Sequence, residues 1–168
     1  MRNDPIWRSM LFVPAHVPRF VERAHARGAD ACVLDLEDSV PLALKAQARD
    51  AVPRAAAAIA AHGTPVLVRV NQPWEIAAPD IDAAVGPAVS ALVLPKVNDD
   101  ATVREVARRI DRAEAQRGLP AGHTRLIALI EDVQALSELD AIARSTPRML
   151  GMMLGPEDFS ACAGMAPV

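Results

Sequence analysis

The 168-residue chain carries a formal net charge of −3, with 51% hydrophobic and 23% charged residues, which suits a soluble protein with one packed core. It has no basic stripe and few aromatic residues (two Trp, three Phe, no Tyr), which argues against a nucleic-acid partner or a base-stacking platform. No stretch approaches the roughly 20 apolar residues of a membrane span, and the apolar run near the N-terminus, about five residues, is too short for a secretory signal; the sequence reads as cytoplasmic, with no membrane partner.

Apolar, β-branched runs alternate with helix-like stretches along the chain. The first strand is expected near residues 9–14, followed by a helix beginning at Pro18, a favoured first helical position. A second strand (31–37), within "ACVLDLED" (31–38), precedes an Ala-rich stretch from Pro41 to Ala61. Pro53 is expected to divide that stretch into two helices, because proline lacks a donor and crowds the preceding turn. A third strand (65–71) leads into a loop with Pro73 and Pro79 and a short helical piece, and a fourth lies at 91–96. Next comes an amphipathic helix over 99–118 that stops at Gly118. A fifth strand (125–131), a helix near 133–145 and a sixth strand (149–155) complete the order. Six such alternations predict a parallel sheet with right-handed crossovers in a single domain over 1–168. A doubly wound sheet and a (β/α)₈ barrel share this signature, although no G-x-G-x-x-G follows the first strand.

Side chains alternate across a strand. Alternation groups Val33 with Asp35 and Glu37, Leu67 with Arg69 and Asn71, Leu92 and Leu94 with Lys96, and Ile127 and Leu129 with Glu131. Each face is apolar along its length and polar only at its C-terminal end. The sixth strand closes on Glu157 and Asp158. This is the layout of a TIM-barrel active site.

The residue types suggest the chemistry. Glu131 and Asp158 offer two hard oxygen ligands and leave positions for water and substrate, as Mg²⁺ prefers, with Mn²⁺ as the alternative cation. Arg69 offers a fork for a substrate carboxylate. Asp35 and Glu37 are placed to orient Arg69 and Lys96, or to hold a metal-bound water. Asp38 falls on the other face and reads as a loop residue. Lys45 and Arg49, four apart on one helix face, are either candidate contacts for the phosphates of a large ligand or a solvated basic face. His16, His25, His62 and His123 read as surface residues away from the strand ends. The methionines Met149, Met152, Met153 and Met165 read as core filler. Cys32 and Cys162, outside any CxxC or Cys/His cluster, read as small buried residues in a reducing compartment.

"RSMLFVPA", "DACVLDLEDSV", "KAQAR", "VRVN", "LPK", "LIED" and "GPEDFS" occur in this order. Together they resemble the HpcH/HpaI aldolase/citrate lyase family, and within it the citrate lyase β-subunit-like group that includes malyl-CoA and citramalyl-CoA lyases. The resemblance runs from about Arg8 to Asp158. It implies a TIM (β/α)₈-barrel fold and a Mg²⁺-dependent carbon–carbon lyase or aldolase, which joins or splits an acyl thioester and an α-keto acid. It implies Glu131 and Asp158 as metal ligands and Asp35, Glu37 and Arg69 as catalytic residues. Arg8, Arg69, Lys96 and Glu131 would contact substrate, and Lys45 and Arg49 the CoA or acyl-carrier moiety. It further implies a homo-oligomer.

The sequence departs from the family pattern in three places. Ala15 stands where glycine is common, "LIED" adds Asp132 beside the metal site, and the chain ends about ten residues after its sixth strand, short of the eight of a full barrel. The expectation is therefore a barrel that stops after its sixth strand, with the family's C-terminal strands absent. Two alternatives follow: a class II 2-keto-acid aldolase acting on free acids, and a catalytically incomplete barrel that is only an assembly partner or an inactive remnant.

Overall fold

The computed structural model describes residues 5–166; residues 1–4 and 167–168, which the single-domain reading includes, lie outside that range. Six strands alternate with helices: β1 (Met10–Pro14), α1 (Pro18–Ala24), β2 (Ala31–Asp35), α2 (Lys45–Ala60), β3 (Val66–Arg69), α3 (Trp74–Ala84), β4 (Ala91–Leu94), α4 (Asp100–Arg117), β5 (Arg125–Ile130), α5 (Leu139–Arg144), β6 (Met149–Leu154) and α6 (Pro156–Cys162). The strands pair in chain order, and every pairing is parallel. Among the described residues β1 and β6 are the free edges, so the sheet is not closed.

Two cores decide between the architectures that the sequence left open. One holds Cys32, Leu34, Val68, Leu92, Leu94, Leu126 and Ala128 together with Val21, Val52, Ile59, Ile81, Val103, Ile110 and Ile142, which come from five helices. The other holds Ala31, Val33, Leu67, Ala91, Val93, Ile127 and Leu129, which come from strands alone. The helices thus cover one face, and the other face packs its own side chains, as in a barrel wall. A doubly wound sheet would carry helices on both faces and reverse its strand order. The six-stranded sheet is consistent with a TIM-type fold, of which the described residues supply six strands.

Local signals explain the element ends. Asp99 caps α4, its carboxylate accepting from Thr102 N at 2.7 Å, and Gly118 ends that helix at φ 65. Pro53 does not divide α2, which runs unbroken through it. Its position is exposed, so water can satisfy the carbonyl that the missing N–H leaves free. Pro79 likewise lies inside α3 rather than in a loop. A bulge at Leu150 shifts β6, with Leu126 opposite Met149 but Ile127 opposite Gly151.

Several smaller expectations need correction. Cys162 is exposed, although Cys32 is buried, because Cys162 ends α6 beyond the sheet edge. Met152 and Met165 are exposed rather than core filler; Met152 lies on β6, an edge strand among the described residues, and Met165 lies past the end of α6. The N-terminal pole of the sheet is closed by a buried ion pair: Arg148 reaches both oxygens of Glu114, at 2.8 and 2.6 Å, and the Thr124 carbonyl at 2.7 Å.

Candidate active site

The polar residues gather at the C-terminal pole. Asp35 is the last residue of β2 and Arg69 the last of β3, and the parallel register places them side by side. Arg69 grips Asp35 with two parallel bonds of 2.7 Å, Nε to Oδ1 and Nη2 to Oδ2. Asp35 is 1% exposed and also accepts from the backbone of Glu37 and Ser39. Burial alone would raise its pKa, but Arg69 and these donors hold it below the usual carboxylate range. The same carboxylate raises the pKa of Arg69 against the opposing effect of burial. Asp35 thus faces the arginine and is closed to solvent.

The remaining edge of Arg69 meets the loop after β2. Nη1 lies 2.9 Å from Glu37 Oε2, as an ion pair without hydrogen-bond alignment, and donates to Asp38 Oδ2 at 3.2 Å. Asp38 therefore joins the cluster rather than standing outside it as alternation suggested. The strand has already ended at Asp35, so the period of two no longer governs it. The guanidinium also lies over the ring of Phe12, 5.1 Å from its centroid.

Lys96 reaches the same cluster by a different route from the expected one. Leu92 and Leu94 belong to the helix-side core, so strand alternation would carry Lys96 away from the site. Its backbone instead turns into the left-handed region, at φ 51, a conformation uncommon outside glycine and often seen at functional sites. The ammonium then lies 2.9 Å from Glu37 Oε1 and 3.3 Å from Asp158 Oδ2. Its backbone N–H donates to Glu131 Oε2 at 2.8 Å. The carboxylates raise the Lys96 pKa despite burial, whereas burial raises those of Glu37 and Glu131.

Glu131 follows β5 directly, and Asp158 lies in the first turn of α6. Both line a cavity of about 370 Å³ with Gln72, Lys96, Asn98 and Asp132. They also line a second cavity, about 500 Å³, that contains Arg69, Asp38 and the apolar residues Phe12, Leu129 and Met153. The two carboxylates thus stand between the cavities. Gly155 makes room for one of them: a Cβ there would lie 2.5 Å from Glu131 Cγ and 2.7 Å from Oε1. Nothing in the strand pattern marks Gly155; only its place before the Pro156–Glu157–Asp158 turn does.

Among the described residues no three His, Cys, Asp or Glu side chains converge as a metal-binding group. A cation here would take Glu131 and Asp158 from the protein and its other oxygens from water and ligand, a donor set that fits Mg²⁺. Glu131 is buried, and among the described residues its carboxylate accepts a hydrogen bond only from a backbone N–H, so positive charge beside it would offset a real desolvation cost. Asp132 is a helix cap, accepting from Gln134 N at 2.8 Å.

Three residues fall outside the cluster. Arg8 precedes β1, pairs with Asp30 at 3.4 Å, and is 84% exposed at the opposite pole; a residue ahead of a parallel strand cannot reach the C-terminal ends. Lys45 and Arg49 share a face of α2 but turn inward. Lys45 Nζ is bonded to the Leu36 and Glu37 carbonyls, and Arg49 to the buried Asp80. Asn71 lies beneath the loops, its amide on the Leu36 carbonyl and on Asp80. His16, expected on the surface, follows β1 by two residues and has a buried Nδ1.

A parallel βα array with acids, an arginine and a lysine converging beyond its strand ends has the layout of a barrel-enzyme site. The family follows from the sequence itself: the chain belongs to the HpcH/HpaI aldolase/citrate lyase family, whose model matches residues 8–166. It is 35% identical over 161 residues to a citrate lyase subunit beta from Leuconostoc mesenteroides, covering 95% of this chain and 53% of that protein. It is 32% identical to a malyl-CoA/beta-methylmalyl-CoA/citramalyl-CoA lyase from Chloroflexus aurantiacus, covering 94% of this chain and 47% of that one. A citrate lyase beta subunit from M. tuberculosis, solved with oxaloacetate and magnesium, matches with a TM-score of 0.70 and 32% identity, over 94% of this chain and 62% of that one. The chain spans about half the length of the curated relatives it matches.

Proposed function

We propose that this chain forms the catalytic pole of a Mg²⁺-dependent carbon–carbon lyase that cleaves or forms a 3-hydroxyacyl thioester, with an α-keto acid and an acyl thioester as the other partners. The observation that carries the reading is the placement of Glu131 and Asp158 on the rim of the cavity that holds Arg69. Arg69 lines this cavity and would meet a substrate carboxylate by exchanging its outer contacts with Glu37 and Asp38, while Asp35, closed to solvent, fixes the plane of its guanidinium. Bound between Glu131 and Asp158, Mg²⁺ would supply Lewis acidity toward a keto oxygen. Lys96 holds Glu131 through its backbone and reaches Asp158 through its ammonium, so one residue orients both carboxylates. Phe12, Leu129 and Met153 give the cavity an apolar wall. The relatives named for citrate and malyl-CoA cleavage, and the one solved with oxaloacetate and magnesium, support the substrate class.

A second reading, an aldolase acting on free 2-keto acids, is favoured by one observation: Lys45 and Arg49 are engaged inside the protein and are not offered to CoA phosphates. Incubation of the purified protein with malyl-CoA, citramalyl-CoA and the matching free acids, with keto-acid release followed under Mg²⁺ or EDTA, separates the two. The first reading predicts release from the thioesters only, abolished by EDTA. Release from free acids alone would favour the second, and no release from either by folded protein would refute both.

A further inference from the structure

Lys45 is the first residue of α2, near the helix end where the dipole is positive and a positive charge is disfavoured. It is half-buried, and burial lowers its pKa. The geometry gives it a counterweight. Its ammonium donates to two successive carbonyls, Leu36 O at 2.8 Å and Glu37 O at 2.7 Å, and so uses two of its three donors. Glu37 O also closes a turn, accepting from Val40 N at 2.9 Å. Leu36 O also accepts from Asn71 Nδ2 at 3.0 Å, and Asn71 is held by Asp80 at 2.6 Å. Asp80 is in turn held by Arg49 at 2.7 Å. The loop that carries Glu37 and Asp38 is thus anchored from beneath on its carbonyl side, while its side chains reach Arg69 and Lys96 on the other.

We propose that Lys45 is a positioning residue of the site: by holding the Leu36 and Glu37 carbonyls it fixes the turn from which Glu37 and Asp38 meet Arg69 and Lys96. The inference rests on reading the Arg69, Lys96, Glu131 and Asp158 cluster as the functional site. Without the ammonium the two carbonyls turn to water, the turn loosens, and Glu37 no longer holds Lys96 over Asp158.

The test compares the parent protein with Lys45→Met, which keeps most of the apolar stem, and with Lys45→Arg, which restores donors. Amide exchange at Ser39 and Val40 should quicken by about tenfold or more in K45M, as expected for the loss of charge-assisted bonds. Strand amides such as Leu92 and Ile127 should stay within about twofold, and K45R should recover most of the protection. Mg²⁺-dependent binding of oxalate, a small dicarboxylate probe, should weaken in step by about tenfold, the counterpart of roughly 1.4 kcal/mol. Unchanged exchange at Ser39 and Val40, strand amides quickening equally, no recovery in K45R, or faster exchange with unchanged oxalate affinity would each overturn the proposal. If the parent protein itself bound no oxalate with Mg²⁺, the proposed function would fail, and the exchange comparison would then decide the role of Lys45 alone.

Discussion

Replacing Gly155 with alanine should damage the proposed cation site while sparing the fold. Gly155 has φ −92, a conformation open to any residue, so the backbone tolerates alanine. The obstacle is steric: the new Cβ would meet Glu131 Cγ at 2.5 Å, Oε1 at 2.7 Å and Cδ at 2.9 Å. All three atoms belong to one flexible side chain, so Glu131 swings away and β6 need not move. The stability cost is the bond from Lys96 N to Glu131 Oε2, 2.8 Å in the parent, about 1–2 kcal/mol for a charge-assisted bond partly replaced by water. At roughly 2–4 °C per kcal/mol for a chain of this size, Tm should fall by about 2–8 °C. The cation should be affected far more. Saturating Mg²⁺ at about 100 times its Kd adds roughly 2.7 kcal/mol to the parent, and G155A should lose that increment. Thermal melts by circular dichroism, with Mg²⁺ or EDTA, read both quantities at once. A Mg²⁺-dependent rise in G155A equal to that of the parent would refute the argument.

Other outcomes follow from the same geometry. Arg69→Met leaves Asp35 buried without its cation and should cost about 3–5 kcal/mol in urea unfolding, with partial recovery in the Asp35→Asn, Arg69→Met double variant; a loss under about 1 kcal/mol would contradict the buried pair. Because the folded-state pKa of Asp35 is lowered, its contribution is fully present above the unfolded value, about 3.9, and lost as pH falls through the folded one. The urea midpoint should therefore drop below about pH 4, with a shallower acid limb in the double variant; superimposable limbs would argue against the assignment. Arg148→Met, at the opposite pole, should also destabilise by about 3–5 kcal/mol but leave Mg²⁺ affinity within about twofold.

The sequence carried the strand order, the parallel sheet and the convergence at one pole, because buried parallel strands read as apolar runs with polar C-terminal ends. It misled where the backbone left its regular period. Lys96 reaches the site only through its positive φ, and alternation put Leu92 and Leu94 on the wrong face. Asp38 lies past the end of β2, where a period of two has no authority. Arg8 was carried by the resemblance, and its partner Asp30 lies twenty-two residues on. Lys45 and Arg49 do share a helix face, as their spacing requires, but whether that face meets a ligand or the carbonyls of another loop is a tertiary fact. The role of Gly155 was hidden for the same reason, since the crowding there comes from Glu131, just past the end of the neighbouring strand β5.

The central claim, that Glu131 and Asp158 hold a cation which presents a keto acid to Arg69, is tested most directly by calorimetric titration of oxaloacetate into the parent and into Glu131→Gln, each with Mg²⁺ and with EDTA. The account predicts saturable binding by the parent with Mg²⁺ alone, and none by E131Q under either condition. Equal binding by E131Q, or parent binding that EDTA does not change, would contradict it.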